Sequence, residues 1–525
     1  MSETPRTYEK PRGAFSRGEG FTRPGGIRLR YFAIALAVFF VYAFWVTRDR
    51  YPMEQFIPAD QRLHISIPNF LENRAQAAES PVWAALPDSA GTGWVPEYLK
   101  RDLGHPDWVL QNLIRQQSHV SANDLEGMSD ALFVTRMSPV GCLLERWFGR
   151  FTRGELPDKA GGLRLHQLTE SDLYYAVRGR VLIISRSRDA LIHSLTLDGG
   201  ESFEAQEIEM VHYGEDATKV NGRVVLDEAD WAGEVVQLLR FALNVDDTEG
   251  RLEFQLGFQP AWEARLAKVL TQSRPVSLAA PVGGPLSVSA NFGVPMKDLW
   301  STIGESSEWP FFSEDQWERW ATDEAETATG RTLTELLGGM GPGVRVSWTG
   351  MDLDATVPAP QVVALFAGDE ANAAAVMEAR PAPPVGPAYV EPYTQYDAET
   401  KRLVVPELAG TAVAPTAVWS DGALLIGSNV GVAEAYLAAP NAADAVPGPA
   451  NFYLSLDPQA CARAFVQTGS LLTQNGLLKG HTPESFQKAS GDWMRKANLS
   501  ELFTALVRVQ DGVVEGELHL QCVAD

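Results

Sequence analysis

The chain has 525 residues, 45% of them hydrophobic and 10% aromatic, which is material for packed cores in roughly two to four domains. Its 67 acidic side chains outnumber 44 basic ones, and of the net charge of −23 the first 50 residues carry about +5, leaving about −28 downstream. A surface this acidic repels phosphate backbones, which excludes nucleic acid as a partner.

Residues 1–30 carry an excess of arginine and lysine, are rich in glycine and proline, and read as a disordered basic tail. From Tyr31 to Thr47 no residue is charged. Such a run predicts a transmembrane helix over 31–47, about 25 Å long, with Arg30 and Arg48 snorkelling at its ends. Tyr31, Tyr42 and Trp45 suit the interface, and the upstream basic excess places the N-terminus in the cytoplasm. A cleaved signal peptide needs a small-x-small site directly after the apolar run, where Thr47-Arg48-Asp49-Arg50 stands instead. The expectation is a single-pass signal-anchor in the cytoplasmic membrane, with the bulk of the chain in the periplasm or outside.

Downstream, four pairs of segments recur in one order. Leu125 to Val134 and Leu337 to Val346 each run from a helix end through glycine into a strand. Tyr175 to Ser185 and Thr416 to Ser428 each read as a hairpin, turning at Gly179 and at Asp421-Gly422, followed by a helix from Asp189 to Leu195 and to about Leu437. Val224 to Asp227 and Leu454 to Asp457 are strand ends leading into helices, Trp231 to Leu239 and Ala460 to Leu472, the second with Pro458 at its start. Each half then closes with an alternating strand, Leu252 to Phe258 and Leu518 to Cys522, apolar on one face and polar on the other. Ile65 and Leu286 open related first strands.

These features predict an α+β fold: the transmembrane helix, then two tandem related domains of antiparallel β-hairpins with helices packed on one face. The boundaries are 62–260 for the first repeat domain, 261–284 for a helix end and linker, and 285–525 for the second. Strand faces this apolar could also join into one continuous sheet. Proline- and alanine-rich loops, Arg380 to Pro415 and Pro440 to Ala450, belong to the second half only.

Catalytic and metal signatures are missing. The eight histidines form no H-E-x-x-H or H-x-H, no G-x-S-x-G or S-x-x-K stands on a strand–turn–helix, and Gly338 to Gly343 lacks the Lys-Ser/Thr of a phosphate-binding loop. No cofactor is expected. Three cysteines are too few for a stapling framework, although Cys461 and Cys522 lie on elements close enough for one disulfide, free thiols being the ordinary alternative. The aromatic-acidic stretch Trp300 to Trp320 stands out. Trp309, Trp317 and Trp320 suit either a sheet core or a platform for a protein partner or a carbohydrate, with Trp317 and Trp320 on one helical face.

The strand–turn–strand–helix units Val177 to Leu195 and Val418 to Leu437, with the Leu-Asp strand ends and the N-terminal apolar segment, resemble a loose group of bacterial single-pass proteins of unknown function. That resemblance implies an exported α+β repeat region and transfers no active site. The expected function is a membrane-tethered extracytoplasmic binding or scaffolding protein. The alternatives are an apolar-ligand or lipid-handling protein, and a hydrolase whose site is assembled from distant residues.

Overall fold

In the computed structural model of the chain, residues between 25 and 523 are described apart from several segments, the longest being 87–106, 204–219, 265–283, 292–339, 371–394 and 439–449. Alternating side chains produce strands throughout. The first half supplies β1 (Leu63–Pro68), β2 (Gln117–Ala122), β3 (Leu132–Arg136), β4 (Arg153–Ala160), β5 (Leu163–Leu168), β6 (Tyr174–Arg178), β7 (Val181–Ser185), β8 (Val220–Val225), β9 (Val236–Val245) and β10 (Glu249–Phe258). The second supplies β11 (Leu286–Asn291), β12 (Met340–Asp352), β13 (Ala359–Gly368), β14 (Gln395–Asp397), β15 (Arg402–Val404), β16 (Thr416–Ser420), β17 (Ala423–Gly427), β18 (Phe452–Leu456), β19 (Ser500–Gln510) and β20 (Val513–Cys522).

All of them join one antiparallel 20-stranded sheet. Its first half runs β4-β5-β6-β7-β3-β2-β1-β8-β9-β10. The second runs back as β20-β19-β18-β11-β12-β13-β17-β16-β15-β14. Each strand therefore has a counterpart ten places later with the same neighbours, and β10 pairs with β20 at the centre. The hairpin turns before β10 and before β20 set the same register. Glu253 and Glu517 are equivalent positions and face each other, so a pseudo-twofold axis passes between them.

This corrects the expected fold class. The halves are not two separate α+β domains with helices on one face; their hairpins share one sheet, and among the described residues helices are few. Two local readings change with it. The glycine-to-strand outline pairs Leu132 with Val344, yet the registers match Leu132 with Val363, because β3 corresponds to β13 and β12 to β2. Of the predicted helix Trp231 to Leu239, residues 231–232 lie outside the described residues and the part from Val236 on belongs to β9, whose residues are mostly half-buried on both faces and so lack a clean period of two.

The N-terminal segment is corrected as well. A helix does form, α1 (Gly25–Thr47), but no helix among the described residues is long and apolar enough to cross a membrane. Seventeen uncharged residues rise only about 25 Å, short of a hydrocarbon core of about 30 Å. The transmembrane, single-pass and signal-anchor assignments, and the inner-membrane location built on them, fall with that span. The end of α1 instead docks on the first half: Val46 is buried with Met137, Cys142, Tyr175 and Leu182, and Phe39 lies 5.5 Å from Trp147.

Short helices cover the sheet. In the first half these are α2 (Val82–Ala85), α3 (Asp107–Leu113), α4 (Pro139–Phe148) and α5 (Arg188–Thr196). In the second they are α6 (Val430–Ala438), α7 (Pro458–Gln474) and α8 (Pro483–Asn498). Side chains cap three of these helices: Ser187 accepts from the Ala190 N–H at 3.1 Å, Asn429 from Val432 at 2.9 Å, and Asp457, the start read from the sequence, from Ala460 at 2.8 Å. The α7–α8 hairpin fills the β18–β19 connection, where the first half has only the short link from β8 to β9.

The main core lies between β3, β6, β7 and α5, where Leu132, Val134, Ile183 and Leu191 are fully buried with Phe56 and Ile57. In the second half Val363, Leu365, Leu425 and Ala433 pack in the same way beneath α6. Polar side chains are buried on that same face, where Arg345 and Ser347 stand opposite Leu365 and Val363. On β12, Arg345 and Ser347 are buried while Val346 is 39% exposed, and the Arg345 Nε–H donates to Ser289 Oγ at 2.7 Å.

Candidate functional site

The ladder of the first half opens between β5 and β6. β5 and β6 pair at His166↔Tyr175 and Gln167↔Tyr174, and the pairing ends there. Leu163 and Arg164 on one strand and Val177 and Arg178 on the other line a wedge instead, which forms a cavity of about 460 Å³. That volume falls within the range of small-molecule sites, roughly 300–1,000 Å³.

Each wall has a local cause. Gly179, at φ +62°, takes the left-handed position that closes the β6–β7 hairpin, a conformation costly for residues with a Cβ. The turn is held to the start of α4 by Met137, whose N–H donates to Arg180 O at 2.8 Å and whose carbonyl accepts from Arg180 Nε at 2.8 Å. That bond pair brings the α4 side chains Cys142, Glu145 and Arg146 over the wedge. The far lip is Tyr51, on whose ring the Arg178 guanidinium stacks 4.7 Å from the centroid.

Inside, the Tyr175 hydroxyl donates to Glu145 Oε1 at 3.3 Å, and the buried His166 ring lies 5.2 Å from that of Tyr175. Cys142 donates its S–H to Gly179 O at 3.3 Å, and burial pushes its thiol pKa up. A protonated thiol engaged with a carbonyl is a poor nucleophile. The arrangement is equipped to hold a polar molecule by charge and hydrogen bonds, with apolar contact from Leu163 and Val177.

A second polar cluster lies under Phe203. His64 Nε2 and His119 Nδ1 are 3.2 Å apart, sharing one hydrogen bond, in nearly parallel rings, and His119 Nε2 is 3.7 Å from Glu54 Oε1. Burial, with His119 and Arg223 nearby, lowers the His64 pKa to about 3, and burial also lowers that of His119. Both imidazoles are thus neutral and structural. No group of three or more His, Cys, Asp or Glu among the described residues could hold a metal ion.

Of the residues singled out from sequence, Trp309, Trp317 and Trp320 lie outside the described residues. Cys461 and Cys522 are free thiols with separate neighbours: Cys461 donates to Pro285 O at 3.3 Å, and Cys522 packs with Val82 and Leu520. The cavity residues Arg146, Arg164, His166 and Arg178 were not anticipated. Their one visible signal is a run of basic side chains over residues 146–188 of an otherwise acidic chain.

No family model matches the chain, and no curated protein matches it either. Three solved structures, of crystal forms III, I and IV of TP0453, align with 43%, 44% and 42% of this chain and 89%, 89% and 86% of their own. Their identities are 7%, 7% and 8% and their TM-scores 0.22, 0.24 and 0.23, too low to bear on fold or function.

Proposed function

We propose that this protein is a small-molecule-binding protein whose ligand occupies the wedge between β5 and β6. The observation that supports this reading is a cavity of about 460 Å³ whose walls are fixed by main-chain bonds and whose interior gathers charged, aromatic and apolar side chains. The duplication supplies a contrast. Register places Trp419 where the first half has Val177, and Ala417 where it has Tyr175. One half of the sheet is built around the cavity residues and the other is not.

The test is a thermal-shift screen of a small-molecule panel against the full chain and against Val177→Trp, which imports the second half's residue. A ligand that raises the melting temperature of the native chain and not of the variant supports the reading, since ligand at a hundredfold excess over its Kd stabilises by about 2.7 kcal/mol. Hits that stabilise both proteins equally count against it.

A further inference from the structure

We infer that the ligand carries an oxyanion, a carboxylate or a phosphate monoester, on an organic body; this rests on the wedge being a ligand site. Three arginines, Arg146, Arg164 and Arg178, line the cavity together with one carboxylate, Glu145, which accepts from Tyr175. Elsewhere the chain has the opposite balance, with acidic side chains well in excess. A cavity wall richer in cations than in anions favours an anionic ligand.

Neither Arg146 nor Arg178 forms an ion pair with a described residue. Arg178 is held by its stack on Tyr51, which fixes the guanidinium plane and leaves its N–H edge available. A planar fork of that kind matches a carboxylate or phosphate by paired N–H···O bonds.

The second half again marks the site as specialised. Register equates Arg178 with Ser420 and His166 with Leu403, so the guanidinium on β6 and the imidazole on β5 have no counterparts. The cavity exceeds what a bare inorganic ion fills, and Leu163 and Val177 offer apolar surface to the remainder of the molecule.

The experiment is calorimetric titration of the full chain with four probes: benzoate, phenyl phosphate, neutral benzamide and inorganic phosphate. The expected result is that benzoate or phenyl phosphate binds about tenfold or more tighter than benzamide, a charge-assisted bond being worth about 1.5–3 kcal/mol. Whichever of the two is tighter identifies the oxyanion. Arg146→Gln, an exposed position that leaves the fold untouched, should weaken the anion about five- to tenfold and leave benzamide unchanged. Raising the salt from 50 to 300 mM should do the same without any substitution.

Equal binding of benzoate and benzamide, insensitive to salt and to Arg146→Gln but abolished by Val177→Trp, overturns the anion inference and leaves the ligand site standing. Binding of none of the four probes overturns both.

Discussion

Glu253 and Glu517 stand directly opposite one another across the central β10–β20 ladder, and the Arg251 guanidinium holds both, Nε lying 3.1 Å from the first and 2.9 Å from the second. Like charges facing each other across a strand pair are destabilising. Here the pseudo-twofold forces the juxtaposition, and a residue off the axis relieves it.

Removing that relief should be costly. Arg251→Leu is expected to destabilise the protein by about 1–3 kcal/mol, since the nearly buried Glu253 would lose the guanidinium it shares with a second carboxylate. Adding Glu517→Gln should restore most of the loss. A double-mutant cycle in urea measures the coupling, and additive effects would show that the three side chains do not act together.

The histidine pair predicts an acid-sensitive fold. His64 is neutral in the native state, with its pKa depressed from 6.5 to about 3, so the unfolded chain binds more protons between those values. Stability is therefore full above about pH 6.5 and falls as the pH drops toward 3, by about 3 kcal/mol between pH 7 and 4 from this group. His64→Gln should flatten the profile in that window. An unchanged slope in the variant would assign the acid sensitivity to other groups.

The central ladder also depends on a missing side chain. Phe254 lies over Gly516, where an added Cβ would collide with the ring. Gly516→Val is expected to cost about 1–3 kcal/mol through overpacking. Combining it with Phe254→Ala should give less loss than the two single effects added. Equal stability of Gly516→Val and the native chain would show that the ring moves aside freely.

All three thiols are predicted to be slow to react. Burial raises the pKa of Cys461 and of Cys522 to about 11 and also raises that of Cys142. At pH 8 iodoacetamide should modify the native protein far more slowly than the urea-unfolded one, where all three should label without prior reduction. Recovering only one labelled thiol from the unfolded, unreduced chain would reveal a disulfide.

Local signals in the sequence carried the hairpins and the helix starts. The glycine turn at Gly179 and the Asp457-Pro458 helix start depend on neighbours within a few residues, and each forms as read; the Ser187 and Asn429 caps are equally local. Strand neighbours were a different matter. The outline that matched Leu125–Val134 to Leu337–Val346 describes a strand and its entrance, which says nothing of the strands on either side. β9 was misread for a related reason: burial on both faces erases the alternation by which a strand is recognised. The cavity was hidden because it arises where β5 and β6 part, bringing Arg146, Arg164 and Arg178 together from three elements without a spacing that any motif records. The uncharged run at Tyr31 to Thr47 did become helical, but composition alone could not show that its end would dock against α4.

The ladder that unites the two halves joins residues about half the chain apart, which has a consequence for biosynthesis. β10 is complete long before β20 leaves the ribosome, and throughout that interval its edge presents unpaired backbone donors and acceptors. Because β10 and β20 are equivalent by the pseudo-twofold, a neighbouring nascent chain offers an edge of nearly the right register. Exchange of halves between polysomal neighbours is thus the characteristic misassembly of this topology, and the alternating charges of Arg251, Glu253 and Glu517 are what a mispaired edge must accommodate.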